Sequence, residues 1–142
     1  MENQEFTPSF FRFEDLRVYQ KALDYYIWVQ TTTEMFPHTE TSPLVKSFVF
    51  DALEIASKIS EGSSRNKSNF VINLKEAKTA IRRCVVYTSV ALKLGFFNDD
   101  EEEESRTQLM ELTKMIGALI GSLQRDTRPT KKYDSDFQGN NY

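Results

Sequence analysis

Residues 66–94, NKSNFVINLKEAKTAIRRCVVYTSVALKL, carry two apolar stripes where a surface helix needs one. At about 100° per residue, Phe70, Leu74, Ala77, Ile81, Cys84, Val85, Thr88 and Leu92 fall on one side. Ile72, Val86 and Val90 fall nearly opposite, with Thr79 among them. One stripe packs a helix into its own domain. The second requires a second partner, because an exposed apolar strip marks association. The stretch therefore predicts a bundle helix in a protein that self-associates.

The flanking sequence supplies the other helices. A Ser-Ser-Arg turn precedes the stretch, with Asn66 or Ser68 as the cap, and Gly95 ends it. A second helix over 43–61 starts at Ser42-Pro43, an N-cap followed by proline at the first helical position. Its broad apolar face holds Leu44, Val45, Phe48, Val49, Ala52, Ile55, Ala56 and Ile59. Gly62 is expected at the left-handed position beyond its end. A first helix over 14–35 stops ahead of Pro37 and is also two-sided. Leu16, Tyr19, Leu23, Tyr26 and Ile27 form one face; Val18, Ala22, Tyr25 and Val29 form the other. A fourth helix begins at Asn98 and carries a one-sided seam of Leu109, Leu112, Ile116, Leu119 and Leu123,. Short connections make neighbours antiparallel, so the expectation is an all-α, up-down-up-down four-helix bundle over 13–126. Residues 1–12 form an N-terminal extension, and 127–142 have no apolar period and are expected to be a disordered tail.

Composition narrows the classes of function. A chain of 142 residues with 39% hydrophobic and 27% charged residues fits one globular domain,. A formal net charge of -3 exerts no overall pull on nucleic acid,. The single cysteine, Cys84, excludes an intramolecular disulfide framework and suits a reducing cytoplasm,. The first twelve residues have no basic region followed by an apolar run, so no secretory signal is expected. No apolar run is long enough to span a membrane.

Two stretches go beyond a generic bundle. Phe13-Glu14-Asp15-Leu16-Arg17-Val18-Tyr19-Gln20-Lys21-Ala22 resembles the F-x-D-L-x-V-[WY]-Q-K-A opening of a bacterial four-helix-bundle family. Some of that family are encoded in intervening sequences of 23S ribosomal RNA genes. Ile59-Ser60-Glu61-Gly62-Ser63-Ser64-Arg65, followed by Asn69-Phe70, resembles its I-A-E-G-x-x-R…E-F turn. Leu92-Lys93-Leu94-Gly95-Phe96 is similar to its ending of helix three. The resemblance covers about 13–123 and implies an up-down bundle that assembles as a ring, often a homopentamer, in a family with no established enzymatic activity. A related accessory protein of diversity-generating retroelements is strongly basic and binds nucleic acid and a reverse transcriptase. This chain differs from that relative in being acidic and in carrying Lys78-Thr79 where the relative has a small Gly-Ser pair.

Each candidate site has a plain structural alternative. Residues 62–94 carry seven cations against one anion, Glu76. Lys75, Lys78, Arg82 and Lys93 fall within about 60° of one another on the helical wheel. Such a strip can track phosphates or be a solvated flank, and the net charge favours the flank. The acidic run 99–104 fits the positive end of a helix dipole better than a metal site, because successive carboxylates point in different directions. Glu61 lies where the dipole disfavours an anion, so Arg65 is expected to clasp it across the turn. His38 is a lone loop histidine, and Cys84 a small core hydrophobe. Tyr19, Tyr25, Tyr26 and Trp28 could stack on bases, but packing is the stronger expectation.

The sequence thus reads as a non-enzymatic, homo-oligomeric scaffold or binding module. Its expected interface residues are Val18, Tyr25, Val29, Ile72, Val86 and Val90. The alternative is a nucleic-acid-binding accessory protein that uses the basic strip. No cofactor, metal, small-molecule substrate or membrane contact is expected.

Overall fold

A computed structural model of the chain describes residues 7–127; the first six residues and the expected tail beyond Thr127 lie outside them. Four helices follow in order: α1 (Arg17–Thr33), α2 (Pro43–Ser63), α3 (Lys67–Lys93) and α4 (Asp99–Thr127). Each packs on its neighbour in sequence, and α4 returns to α1. The result is an antiparallel up-down-up-down bundle, all-α over the described residues.

The helix ends explain why the chain breaks where it does. The Ser42 hydroxyl accepts from the Val45 amide at 3.3 Å, with Pro43 at the first helical position. The Asn66 side chain accepts from the Asn69 amide at 2.9 Å. At α4 the Asn98 side chain accepts from the Glu101 amide at 2.8 Å, and the Glu101 carboxylate accepts from the Asn98 amide at 2.9 Å. These are the two halves of a capping box. α3 ends at Gly95, whose φ of +80 suits glycine,. There the Phe96 amide donates to the Ala91 carbonyl at 2.9 Å and the Gly95 amide to Leu92 at 3.0 Å, both bonds of a Schellman stop.

Two boundaries differ from the sequence expectation. α1 begins at Arg17 rather than 14. Asp15 accepts from the Ser9 amide at 3.2 Å and from Arg12 Nε at 3.3 Å, and Arg12–Asp15 is a 3-10 turn. Leu16 is extended between the turn and the helix. Gly62 does not sit beyond α2 in the left-handed region; it lies inside the helix. Its reason is steric. A Cβ there would come 2.7 Å from Asn73 Cβ and 2.8 Å from Phe70 Cδ1. The E-G-x-x-R turn needs glycine so that α3 can pack closely on α2.

Of the two faces of α1, the one expected to supply interface residues is the one that turns inward. Val18, Ala22, Tyr25 and Val29 are all buried. The expectation that Val18, Tyr25 and Val29 belong to an oligomer interface is therefore overturned. Their spacing of four, three and four makes a continuous seam against α2 and α4, and it wins over the broader set around Leu23. Leu16, Tyr19, Leu23 and Tyr26 pack at the margin of the core, and Ile27 is exposed.

Tyr25 is held by a chain of hydroxyls at the centre of the bundle. Thr88 Oγ1 donates to the Cys84 carbonyl at 2.8 Å. Its one proton is then used, so at 2.7 Å it accepts from Ser105, and Ser105 in turn accepts from Tyr25 at 2.8 Å. All three hydroxyls are 0% exposed, so none has water as a substitute partner. Burial pushes the Tyr25 phenol above its ordinary value. Ser105→Ala leaves two buried hydroxyls short of a partner, and we expect a loss of about 1–3 kcal/mol. Tyr25→Phe combined with Ser105→Ala should lose less than the two single changes together, because the changes share one bond. Urea denaturation of the four proteins in the cycle checks this; additive losses would contradict it.

Candidate functional site

The basic strip of α3 lines a groove against α4. Lys75, Lys78 and Arg82 form a cationic rim, and Ile81, Val85, Thr113 and Gly117 lie below and across from it, around a volume of about 610 Å³. The groove exists because α4 presents small residues there. Nothing lies within 4 Å of the position a Gly117 Cβ would take. Burial, together with the nearby Lys75 charge, pushes the Lys78 ammonium down to about 8, as expected for cations crowded over an apolar floor. Lys93 is not part of this group. It lies eleven residues beyond Arg82 on α3, about 16 Å along the axis.

Ile72, Val86 and Val90 face outward, with exposures of 53%, 57% and 36%. They lie opposite the α3 core seam of Leu74, Ala77, Ile81 and Cys84. α2 adds Phe50 and Leu53, both exposed. Phe50 borders a shallow groove between α2 and α3 that is lined mainly by charged side chains, among them Glu54, Lys58, Glu76 and Arg83.

Glu61 and Arg65 are brought together at the α2–α3 turn. Arg65 Nη2 donates to Glu61 Oε2 at 3.1 Å. Lys58 Nζ lies 3.7 Å from Glu61 and 3.3 Å from Glu76, so the ladder crosses from α2 to α3. These groups are about a third to a half exposed, where such pairs contribute little.

Asp51, which is absent from the residues the sequence pattern singles out, is a buried carboxylate. Tyr87 donates to it at 2.5 Å, and Arg83 Nη1 lies 3.7 Å away. Burial and the Asp51 carboxylate push the Tyr87 phenol up to about 12. The available signal was a lone carboxylate between Phe48 and Ile55 on an otherwise apolar face. Cys84 is buried, and burial raises its thiol, which disfavours the thiolate that a nucleophile requires. His38 is exposed in its loop. Among the described residues, no three His, Cys, Asp or Glu side chains could hold a metal ion. Among them, too, no helix is long and apolar enough to cross a membrane.

A family model described as 23S rRNA-intervening sequence protein matches residues 14–118, and the chain belongs to that family. A search of curated proteins finds no match. Among solved structures, the chain is similar to a protein of unknown function of the S23 ribosomal protein family from Bacteroides thetaiotaomicron VPI-5482, determined at 1.70 Å. The TM-score is 0.67 at 13% identity, over 72% of this chain and 97% of that one. The likeness shows the shared fold.

Gly117 and Gly62 both interrupt good helix, for different reasons. Gly117→Ala should raise stability by up to about 1 kcal/mol, the propensity difference, since its Cβ meets open space. Gly62→Ala should lower stability, since something must shift to admit the Cβ. Thermal or urea unfolding checks the pair; a loss of stability in both would show that Gly117 is packed rather than lining a groove.

Proposed function

We propose that this member of the 23S rRNA-intervening sequence protein family is a non-enzymatic, cytoplasmic, homo-oligomeric scaffold. Its subunits associate through the outer face of α2 and α3. The observation that carries the reading is the outward set Ile72, Val86 and Val90 on α3, with Phe50 and Leu53 also exposed on α2. Leaving these side chains in water forfeits about 25 cal/mol for each Å² of apolar surface that a partner would cover. A heterologous contact of this kind closes into a ring when its rotation permits. The resemblance noted from the sequence favours five subunits. Burial raises the Cys84 thiol, and Asp51 is engaged by Tyr87, so neither of these two buried groups is poised as a nucleophile or base.

A second reading rests on Lys75, Lys78 and Arg82, which share one groove. In that reading the protein is a nucleic-acid-binding accessory, and a ring repeats the cationic groove in every subunit, which strengthens weak contacts. Its affinity for structured RNA or single-stranded DNA should fall steeply with salt and vanish in a Lys78→Glu, Arg82→Glu variant. Salt-independent or absent binding in a filter assay would remove this reading and leave the scaffold.

For the scaffold itself, Val86→Asp with Val90→Asp should convert the assembly to monomers while keeping helicity. Ile81→Asp should unfold the bundle instead, because it buries an unpaired charge. Sedimentation velocity and circular dichroism separate the outcomes. If both variants behave alike, the outer face is not the interface.

A further inference from the structure

The α3–α4 groove is built unevenly. All its charge stands on α3, where Lys75, Lys78 and Arg82 rim it, and among the described residues no carboxylate lines it. The α4 wall offers a ligand no side-chain donor. Gly117 has no side chain, and Thr113 Oγ1 spends its proton on the Leu109 carbonyl at 2.8 Å. Ile81 and Val85 supply hydrocarbon between the two walls. An occupant therefore meets cations along one edge and apolar surface along the other. The volume of about 610 Å³ lies within the roughly 300–1,000 Å³ of small-molecule sites.

The extent of the positive charge limits the length of the ligand. Lys75 to Arg82 spans about 10 Å of helix. Past Arg82, Ser89 is held to Arg106 at 2.9 Å, and the hollow around Arg106 is bordered by Asp99, Glu102 and Glu103. A polyanion that followed the rim in that direction would run onto carboxylates. A single small anion ends before them. Three cations exceed the charge of one carboxylate, whereas a phosphate monoester carries about -1.5 to -2 at neutral pH. Burial and the Lys75 charge already hold the Lys78 ammonium down to about 8, and an anion between the two lysines offsets their repulsion.

We propose that the α3–α4 groove binds one small phosphate monoester with an aliphatic body, its phosphate among Lys75, Lys78 and Arg82 and its body on Ile81 and Val85 beside Gly117. The site is concave and takes one molecule, so the ligand is a free one and not the surface of a bilayer. The groove is that of the second reading of function, but the ligand is of another class. The scaffold reading is untouched, because around α3 the groove lies about a quarter turn from the face of Ile72, Val86 and Val90.

Titration calorimetry of the full chain with inorganic phosphate, n-butyl phosphate and n-hexyl phosphate tests the proposal. Affinity should rise about fourfold for each added methylene that the floor covers, and n-hexanol should not bind. Gly117→Leu places a side chain in open space. It should weaken hexyl phosphate at least about tenfold and leave the weaker binding of inorganic phosphate unchanged. Should leucine disturb the fold, which circular dichroism reports, Val85→Thr makes the floor polar at nearly the same shape and should flatten the dependence on chain length. Lys78→Glu with Arg82→Glu should abolish binding of both phosphates. Hexyl phosphate binding no tighter than inorganic phosphate, or insensitive to the floor variants, would overturn the proposal. Structured RNA that binds equally well to Gly117→Leu, with no preference for hexyl over inorganic phosphate, would overturn it and leave the groove to a nucleic-acid backbone. Cosedimentation with phosphatidic acid vesicles without binding of hexyl phosphate would overturn it in favour of a bilayer.

Discussion

The hydroxyl chain from Tyr25 through Ser105 and Thr88 to the Cys84 carbonyl fixes the bundle. It joins α1, α4 and α3 at one level, and every group in it is buried. Sliding or rotating any of the three helices would leave a hydroxyl without a partner, at a cost comparable to a sizeable part of a domain's net stability. With Tyr25 inward, Val18, Ala22 and Val29 follow on the same seam. With Thr88 and Cys84 inward, Val86, Val90 and Ile72 are turned to the outside. The apolar exterior of α3 is therefore a geometric consequence of the polar interior, since one helix cannot bury opposite faces in a single bundle.

The fold was legible in the sequence because its signals are local. Ser42-Pro43, Asn66 and Asn98 cap their helices through bonds to residues three further on, and Gly95 stops α3 through its own positive φ. What was not legible depends on distance. The choice between the two faces of α1 turns on Ser105, which lies 80 residues from Tyr25. Gly62 looked like a chain stop, but its role is to admit Asn73 and Phe70 from the next helix. Asp51 has the wrong polarity for its apolar surroundings, and only Tyr87 and Arg83, supplied by α3, account for it.

The candidate site was half legible. The helical wheel placed Lys75, Lys78 and Arg82 on one side of α3, and the structure adds what one helix cannot reveal, a facing wall of α4 left open at Gly117. Angular agreement brought Lys93 into the same strip, but axial distance removes it. Charge is also divided along the α3–α4 pair. Carboxylates crowd the start of α4, where the capping box and helix dipole favour them,, and cations crowd the groove. The net charge of -3 conceals this separation. Over a Debye length of about 8 Å at physiological salt, a ligand in the groove is affected mainly by the nearby cations.

The central claim is that the outer face of α2 and α3 is covered by further copies of the same chain in a closed arrangement. Native mass spectrometry of the unmodified protein over a range of micromolar concentrations tests it most directly. The account predicts one stoichiometry, a single multiple of the 16.5 kDa subunit, that does not grow with concentration, because a closed ring has no free end. A spectrum containing only the 16.5 kDa monomer throughout, or a ladder that lengthens with concentration, would contradict it.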